Sequence, residues 1–360
     1  MISPPKSRKG RGAISNPEGR FESRRVEAVD DGWMIDSDSQ APPLATTITA
    51  EHARSIISHN DSPDIPFEQS INPYRGCGHG CVYCYARPAH SYINLSPGLD
   101  FETKLFYKKN AAELLREELS RPRYVCKSIT LGANTDPYQP IERELKVTRS
   151  ILEVLQEFHH PVSIITKGHL VERDIEILAA MARENLASVH VSVTTLDSNL
   201  KRILEPRAPG AAARLHAIRT LHAAGVPVGA LVAPVIPAIN DHEIEHILAA
   251  VAQAGARSAG YVMLRLPYEV KDLFREWLAE HFPLRAAHVM SLINNLRGGR
   301  DNDPNFGSRM RGIGPFAELV RRRFDVACRR LNLNPARRVP LDVRNFRAPT
   351  ASGAQLDLGL

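Results

Sequence analysis

The segment from Asn72 to Arg87 reads NPYRGCGHGCVYCYAR, and its three cysteines, Cys77, Cys81 and Cys84, decide how the rest of the chain is read. Their C-x3-C-x2-C spacing lets three thiolates converge on one centre from a single loop. Three thiolates are one short of a closed tetrahedral zinc or iron–sulfur site. A [4Fe–4S] cluster held this way keeps one iron free of protein ligands, open to a chelating small molecule. Gly76, Gly78 and Gly80 let backbone amides come close to cluster sulfides.

The competing reading of the loop is zinc. C-x2-C is common in zinc knuckles, and His79, between Cys77 and Cys81, would complete a Cys3His site. The second half of a finger or ribbon is missing downstream. On this alternative the chain is a non-catalytic nucleic-acid-binding protein with a structural zinc or an inert Fe–S site.

Outward from the loop, a strand–helix rhythm sets in. Ile65–Pro73 reads as the strand that ends at the cysteines, and Asn110–Leu119 as the first helix, with apolar positions at helical spacing. Strands then follow at Ser128–Ala133, Val162–Thr166, Val189–Thr194, Val228–Ala233 and Ala259–Leu264. Helices alternate with them at Glu142–Phe158, Val171–Glu184, Ala211–Ala224 and Asp241–Ala254, the last capped by Asn240 or Asp241. Such alternation implies a parallel sheet with right-handed crossovers. An open doubly wound sheet fits the same pattern. Polar residues gathered after the strand ends, however, favour the C-terminal face of a β/α barrel. The fold expected is α/β: a partial (βα)6, TIM-like barrel over residues 66–268. An irregular N-terminal arm (1–65, with a short helical pattern at Ala50–Ser58) precedes it, and a helical, Arg-rich extension (269–360) follows.

That extension is expected to carry helices at Asp272–His281, Leu284–Leu296 and Pro315–Leu331, with a loop of glycine and arginine from Gly298 to Gly314. The loop suits either a phosphate wrap or a lid over the barrel mouth. Charge is concentrated at the two ends. Residues 1–26 hold seven Lys and Arg against two Glu, and residues 297–347 hold thirteen Arg and no Lys against five acids. Basic ends around a more acidic middle are what a polyanion-binding periphery would look like, which makes nucleic acid an expected partner. A solvated arginine surface reads the same way in composition. The longest apolar run, Val226–Ile239, is interrupted by Pro227, Pro234 and Pro237 and is too short for a bilayer, so no membrane association is expected. The N-terminus lacks the apolar stretch of a secretory signal. Five cysteines, three clustered and two lone (Cys126, Cys328), make no disulfide framework, and a reducing cytoplasm is the expected compartment.

Tyr83, just before the last cysteine, completes a C-x3-C-x-aromatic-C signature, and here the chain resembles the radical S-adenosylmethionine (SAM) superfamily. The run from Asn72 to Pro237 is similar to the spore photoproduct lyase branch of that superfamily and its uncharacterised relatives. It carries in order GANTDPYQPIE (Gly132–Glu142), ITKG, HVSVT, EP (Glu205–Pro206) and GVPVGALVAPVIP (Gly225–Pro237). The resemblance implies a [4Fe–4S] cluster on Cys77, Cys81 and Cys84, and SAM reductively cleaved to a 5′-deoxyadenosyl radical that abstracts hydrogen from a substrate. Asp136, with Asn134 and Thr135 beside it, stands where the family binds the SAM ammonium. Lys167 and Ser192 match its grip on the SAM carboxylate, a chemically suitable charge-assisted pair. Tyr83 would pack near the adenine, and the backbone around Val232–Ala233 and Met263–Leu264 would hydrogen-bond it. Taken singly, each of these has an ordinary reading as a turn cap, a solvated lysine or an inward-facing hydroxyl. An electron donor such as flavodoxin or ferredoxin is implied as well. The lyase's hydrogen-donating cysteine has no counterpart, since Ala133 stands in its place, so repair of spore photoproduct is not assigned. Tyr138, taken as the candidate catalytic residue, and Tyr85 are the alternative hydrogen relays.

Overall fold

The computed structural model describes residues 8–21, 44–335 and 340–348, so the expectations that fall on Lys6, Glu22, Arg24, Arg25, Arg337 and Arg338 lie outside the described residues. Ten strands are formed among the described residues. They are β1 (Thr47–Glu51), β2 (Ile57–His59), β3 (Gln69–Ile71), β4 (Tyr74–Arg75), β5 (Lys104–Lys108), β6 (Ile129–Leu131), β7 (Val162–Thr166), β8 (Ala187–Ser192), β9 (Val228–Val235) and β10 (Ser258–Met263).

The main sheet runs β10-β9-β8-β7-β6-β3-β2, with parallel pairing from β3 through β10 and β2 antiparallel at the far edge. These are the six parallel strands read from the sequence. Among the described residues β3 and β10 do not pair, so the barrel is open. A separate sheet, β1-β5-β4, was not anticipated. Its first strand, together with β2, occupies the stretch read as the short helix Ala50–Ser58, and that reading is corrected. The β-branched pairs Thr47–Ile48 and Ile56–Ile57 favour extended backbone, and β1 finds a ready partner in β5.

The apolar faces of helices Val147–Glu157, Ile175–Arg183, Ala211–Ala223 and Ile244–Gln253 cover the outside of the strands. The expected helix Glu142–Phe158 is broken at Lys146, which has φ 52° and ends a short first turn. Asn240 does not cap the helix after β9. Its Oδ1 accepts from Ile236 N (2.6 Å) and its Nδ2 donates to Thr194 O (2.8 Å) and Pro234 O (3.0 Å), tying the ends of β8 and β9 together.

The C-terminal helices Val270–His281 and Ala286–Leu296 pack behind the cysteine loop. Phe274 and Trp277, both 0% exposed, share a cluster with Cys81, Val82, Tyr83, Leu200 and Leu204. Burial of each such large apolar side chain contributes roughly 1.5–3 kcal/mol, so the loop rests on a stiff floor. Edge strand β10 is not left bare. Asn334 clamps Ala259 through its N–H (2.9 Å) and its carbonyl (2.9 Å), and Met263 N donates to Met310 O (2.9 Å). Unpaired edges invite pairing with other chains, and here the protein's own tail covers the edge.

Candidate functional site

The cysteine loop follows β3 and β4 at the C-terminal end of the sheet, and several buried side chains from distant parts of the chain hold it. Gln139, 0% exposed, accepts from Gly78 N (2.8 Å) and donates to Gly76 O (3.1 Å). Arg87, 0% exposed, donates to Cys81 O (2.9 Å) and to Gly98 O (2.8 Å) and pairs with the buried Glu102. Glu102 accepts from Gly12 N (3.0 Å) and Ala13 N (2.8 Å), which brings the N-terminal arm against the loop. The approach is close enough that a Cβ on Gly12 would lie 1.8 Å from Gly80 O. Residues 12 and 13 of the arm are thus built into the support of the site.

Tyr83 reaches a second buried group. Its hydroxyl donates to Glu205, which also accepts from Thr194 Oγ1 (2.6 Å) and is paired with Arg214. Arg214 in turn donates to Ser192 O (2.9 Å) and Pro209 O (2.9 Å). Burial raises the Glu205 pKa, but Arg214, Lys167 and the donated hydrogen bonds outweigh it and bring the carboxyl down to about 2. A charge this deep persists because it is paired on both oxygens.

A cavity of about 450 Å³ opens at the ends of the parallel strands. Cys77, Cys81, Cys84, Tyr83, Asn134, Thr135, Asp136, Lys167 and Ser192 all line it. The resemblance thus nominated residues from four separate loops and strand ends that come together in space. Lys167 lies 5.9 Å from the Tyr83 ring centroid, and its charge acts on Cys81 and Cys84. Gly132, at φ 90°, leads into the loop after β6, and a Cβ there would fall 2.0 Å from Ile165 O. Only glycine lets that loop lie flat on β7.

Asp136 lines the cavity and is also held by the chain's own donors. Its Oδ1 accepts from Tyr138 N (2.9 Å) and Thr166 Oγ1 (2.6 Å), and its Oδ2 accepts from Lys167 N (2.7 Å) with His79 Nδ1 at 3.4 Å. Burial pushes its pKa up, while His79, Thr166 and the Lys167 amide pull it down further, to about 2. Three accepted hydrogen bonds make this carboxylate a tie between the β6 loop and the end of β7 while it still lines the cavity. Asn72 Oδ1 accepts from Asn134 N (2.9 Å) and Thr135 N (3.4 Å), and Thr135 Oγ1 donates to Tyr74 O (3.0 Å).

Tyr138 does not line the cavity. It is 2% exposed, and its hydroxyl donates to Asp174 (3.1 Å) within an ion network with Arg149 and Arg173. A relay role is corrected on that ground. Tyr85 does line it, with its hydroxyl donating to Ala133 O. Val232 is buried in the outer core, while Leu231 and Ala233 on either side of it face the cavity, as strand alternation requires.

The fit to a metal group can be read from the donors. Burial pushes all three thiols up, Cys81 to about 12, and Cys77 is raised further by Asp136 and by the other two. Three adjoining sulfurs of this kind become thiolates when a cationic centre compensates them. His79 turns toward Asp136, and among the described residues no three His, Cys, Asp or Glu side chains converge tightly enough to hold one ion. A cubane spreads three thiolates over three irons and does not need them on one point, so the arrangement suits a cluster better than a lone zinc. Gln139, Glu102, Arg87, Glu205 and Arg214 had no sequence signal as parts of the site beyond the EP dipeptide at Glu205–Pro206.

Comparison with known proteins bears on the same stretch. The family model of the Radical SAM superfamily matches residues 71–251. An uncharacterized protein of Mycobacterium tuberculosis is 39% identical over 221 residues, 61% of this chain and 65% of the relative. An uncharacterized protein of Methanocaldococcus jannaschii is 28% identical over 215 residues, 59% of this chain and 76% of the relative. The chain thus spans about 65% of the length of the mycobacterial relative. Among solved structures, spore photoproduct lyase complexed with dinucleoside spore photoproduct superposes with a TM-score of 0.48 at 15% identity, covering 65% of this chain and 66% of that one. Among the described residues no helix is long and apolar enough to cross a membrane. From the cysteine loop through the fifth parallel strand and the helix after it, the chain belongs to the Radical SAM superfamily of enzymes, and that superfamily's [4Fe–4S] cluster and SAM are its cofactors.

Proposed function

We propose that the chain holds its cluster through Cys77, Cys81 and Cys84 and positions SAM against it to start hydrogen abstraction from a substrate in the same cavity. The observation that carries this is the meeting of the three thiols with Lys167 and Ser192 around one cavity, although they lie far apart in sequence. When bound, the cluster supplies the electron that cleaves SAM into methionine and a 5′-deoxyadenosyl radical. The chain's own part is to bind, orient and exclude water. Lys167 and the Ser192 hydroxyl would receive the SAM carboxylate. Tyr83, locked by Glu205, gives a fixed aromatic face beside Cys84. With Asp136 held by three donors of the chain, the ammonium would fall to the Asn134 side chain and to carbonyls of the loop it stiffens. The reducing electron would come from a flavodoxin or ferredoxin.

A nucleic-acid substrate is the candidate that the basic ends support. The described arginines divide on this point. Arg297, Arg309, Arg323 and Arg344 are engaged by carbonyls or carboxylates of the chain itself. Arg321 and Arg322 share the exposed Glu318, Arg329 and Arg330 are exposed at the end of the same helix Gly314–Arg330, and this helix is the part available to a phosphate backbone.

The test is anaerobic reconstitution followed by dithionite and SAM. 5′-Deoxyadenosine should form, and Cys81→Ala should abolish it. Wild-type protein that carries about four irons yet yields none under any reductant would defeat the proposal.

A further inference from the structure

Among the described residues three Lys and Arg side chains line the cavity, and they differ in how they are satisfied. Lys167 stands with the cysteines and is assigned to SAM above. Arg309 is neutralised by Asp64 (Nε–Oδ2 2.5 Å) and also bonds Ser62. Arg265, two residues beyond β10, has neither kind of support. Its one hydrogen bond is a weak contact to Met310 Sδ at 3.8 Å, and its Nε is buried with no hydrogen-bond partner. Among the described residues no carboxylate lies within ion-pair distance of it. Asp64, whose charge reaches it, is already taken by Arg309 and by Gly307 N (2.6 Å).

The surroundings keep this guanidinium in place. It sits 5.6 Å from the Tyr85 ring centroid, and the Tyr85 hydroxyl is tied to Ala133 O at the rim of the β6 loop. On its other side the loop carrying Arg309 and Met310 is fastened to the end of β10. The buried Arg297 does this by donating to Arg309 O (2.8 Å), Ser308 O (3.2 Å) and Met263 O (3.3 Å). Burial and the neighbouring Arg309 both lower the Arg265 pKa, the mark of a cation without its counter-ion. A half-buried charged donor left unmade costs free energy, and a fixed fork of N–H groups matches the oxygens of phosphate or carboxylate.

We propose that Arg265, braced by Tyr85 and Met310, receives a phosphate or carboxylate group of the substrate, so that the substrate is an anion seated in the same chamber as the cluster. This rests on the functional reading above for the word substrate, while the anion site itself does not depend on cleavage of SAM.

The test follows thermal unfolding of the full chain, without cluster, against inorganic phosphate and separately against acetate, at constant ionic strength. Wild-type protein should show a saturable rise in Tm with at least one of the two, and the preferred anion tells phosphate from carboxylate. R265Q should raise the midpoint concentration by about tenfold or more, as loss of a charge-assisted pair implies. R265K, which keeps charge without the fork, should fall between, and also serves if R265Q folds poorly. R183Q, at the exposed end of helix Ile175–Arg183 and outside the cavity lining, should match wild type. Equal midpoints in wild type, R265Q and R265K would overturn the proposal. So would displacement of the anion by SAM, because the guanidinium would then serve the cofactor. A failure to form 5′-deoxyadenosine would leave these titrations unchanged, so the two readings fail separately.

Discussion

Replacing Glu205 by alanine tests whether the buried network organises the site. The side chain is 0% exposed and accepts from Tyr83, Thr194 and Arg214. Truncation leaves Arg214, 2% exposed, as an uncompensated buried cation, which costs about 3–5 kcal/mol. The orphaned Tyr83 hydroxyl adds about 1–3 kcal/mol, though the two costs overlap and do not sum. Against a total stability of about 5–15 kcal/mol this is a large loss. Equilibrium unfolding in urea, at fixed pH and without cluster, should show a midpoint drop with the slope unchanged. The double variant Glu205→Leu with Arg214→Met should recover most of the deficit, because a buried pair replaced by apolar groups of similar volume is near neutral. Iron bound per chain should fall in Glu205→Ala as Tyr83 and the cysteine loop loosen. A loss under 1 kcal/mol, or strictly additive single variants, would refute this account of the network.

Three further outcomes follow from the same geometry. Gly12→Val should lower iron per chain while the far-ultraviolet circular dichroism stays that of wild type, because its Cβ would meet Gly80 O at 1.8 Å; full iron loading would count against the arm as a brace. Lys167→Ala should weaken SAM binding to the anaerobically reconstituted protein by about tenfold or more with the iron count retained, and unchanged affinity in calorimetry would remove it from the carboxylate grip. His160, 0% exposed and bonded to Tyr124 (2.7 Å) and Pro161 O (3.0 Å), has its pKa lowered by burial from 6.5 to about 4. The unfolded chain therefore takes up that proton first, so the contribution is complete above about pH 6.5 and declines as pH falls toward 4. Stability should drop by about 2 kcal/mol from this group between pH 7 and pH 5, a slope that His160→Gln should lack.

Local signals made much of the molecule readable. The thiol spacing, the β-branched strand cores and the amphipathic helices each lie within a few residues, and the six parallel strands appeared where those patterns put them. What escaped is tertiary. Glu102 and Glu205 look like any surface acid in sequence, yet each is buried because an arginine from elsewhere meets it. Asp136 shows the converse. Its place in the motif suggested a ligand-binding carboxylate, and only the arrival of Thr166, His79 and the Lys167 amide reveals that it is also a tie within the chain. The apolar pattern at Ala50–Ser58 misled because nine residues cannot distinguish a short helix from parts of two short strands whose partners lie elsewhere in the chain.

The seal on β10 has a consequence for how such proteins diversify. Asn334 and Met310, which fasten that margin, both lie beyond residues 71–251. A relative that keeps the central strands but carries a different tail must close the same seam with other material, and the seam borders the chamber where Arg265 waits. Tail exchange could thus resize and recharge the entrance while every thiol stayed where it was, giving new chemistry a route that never endangers the metal.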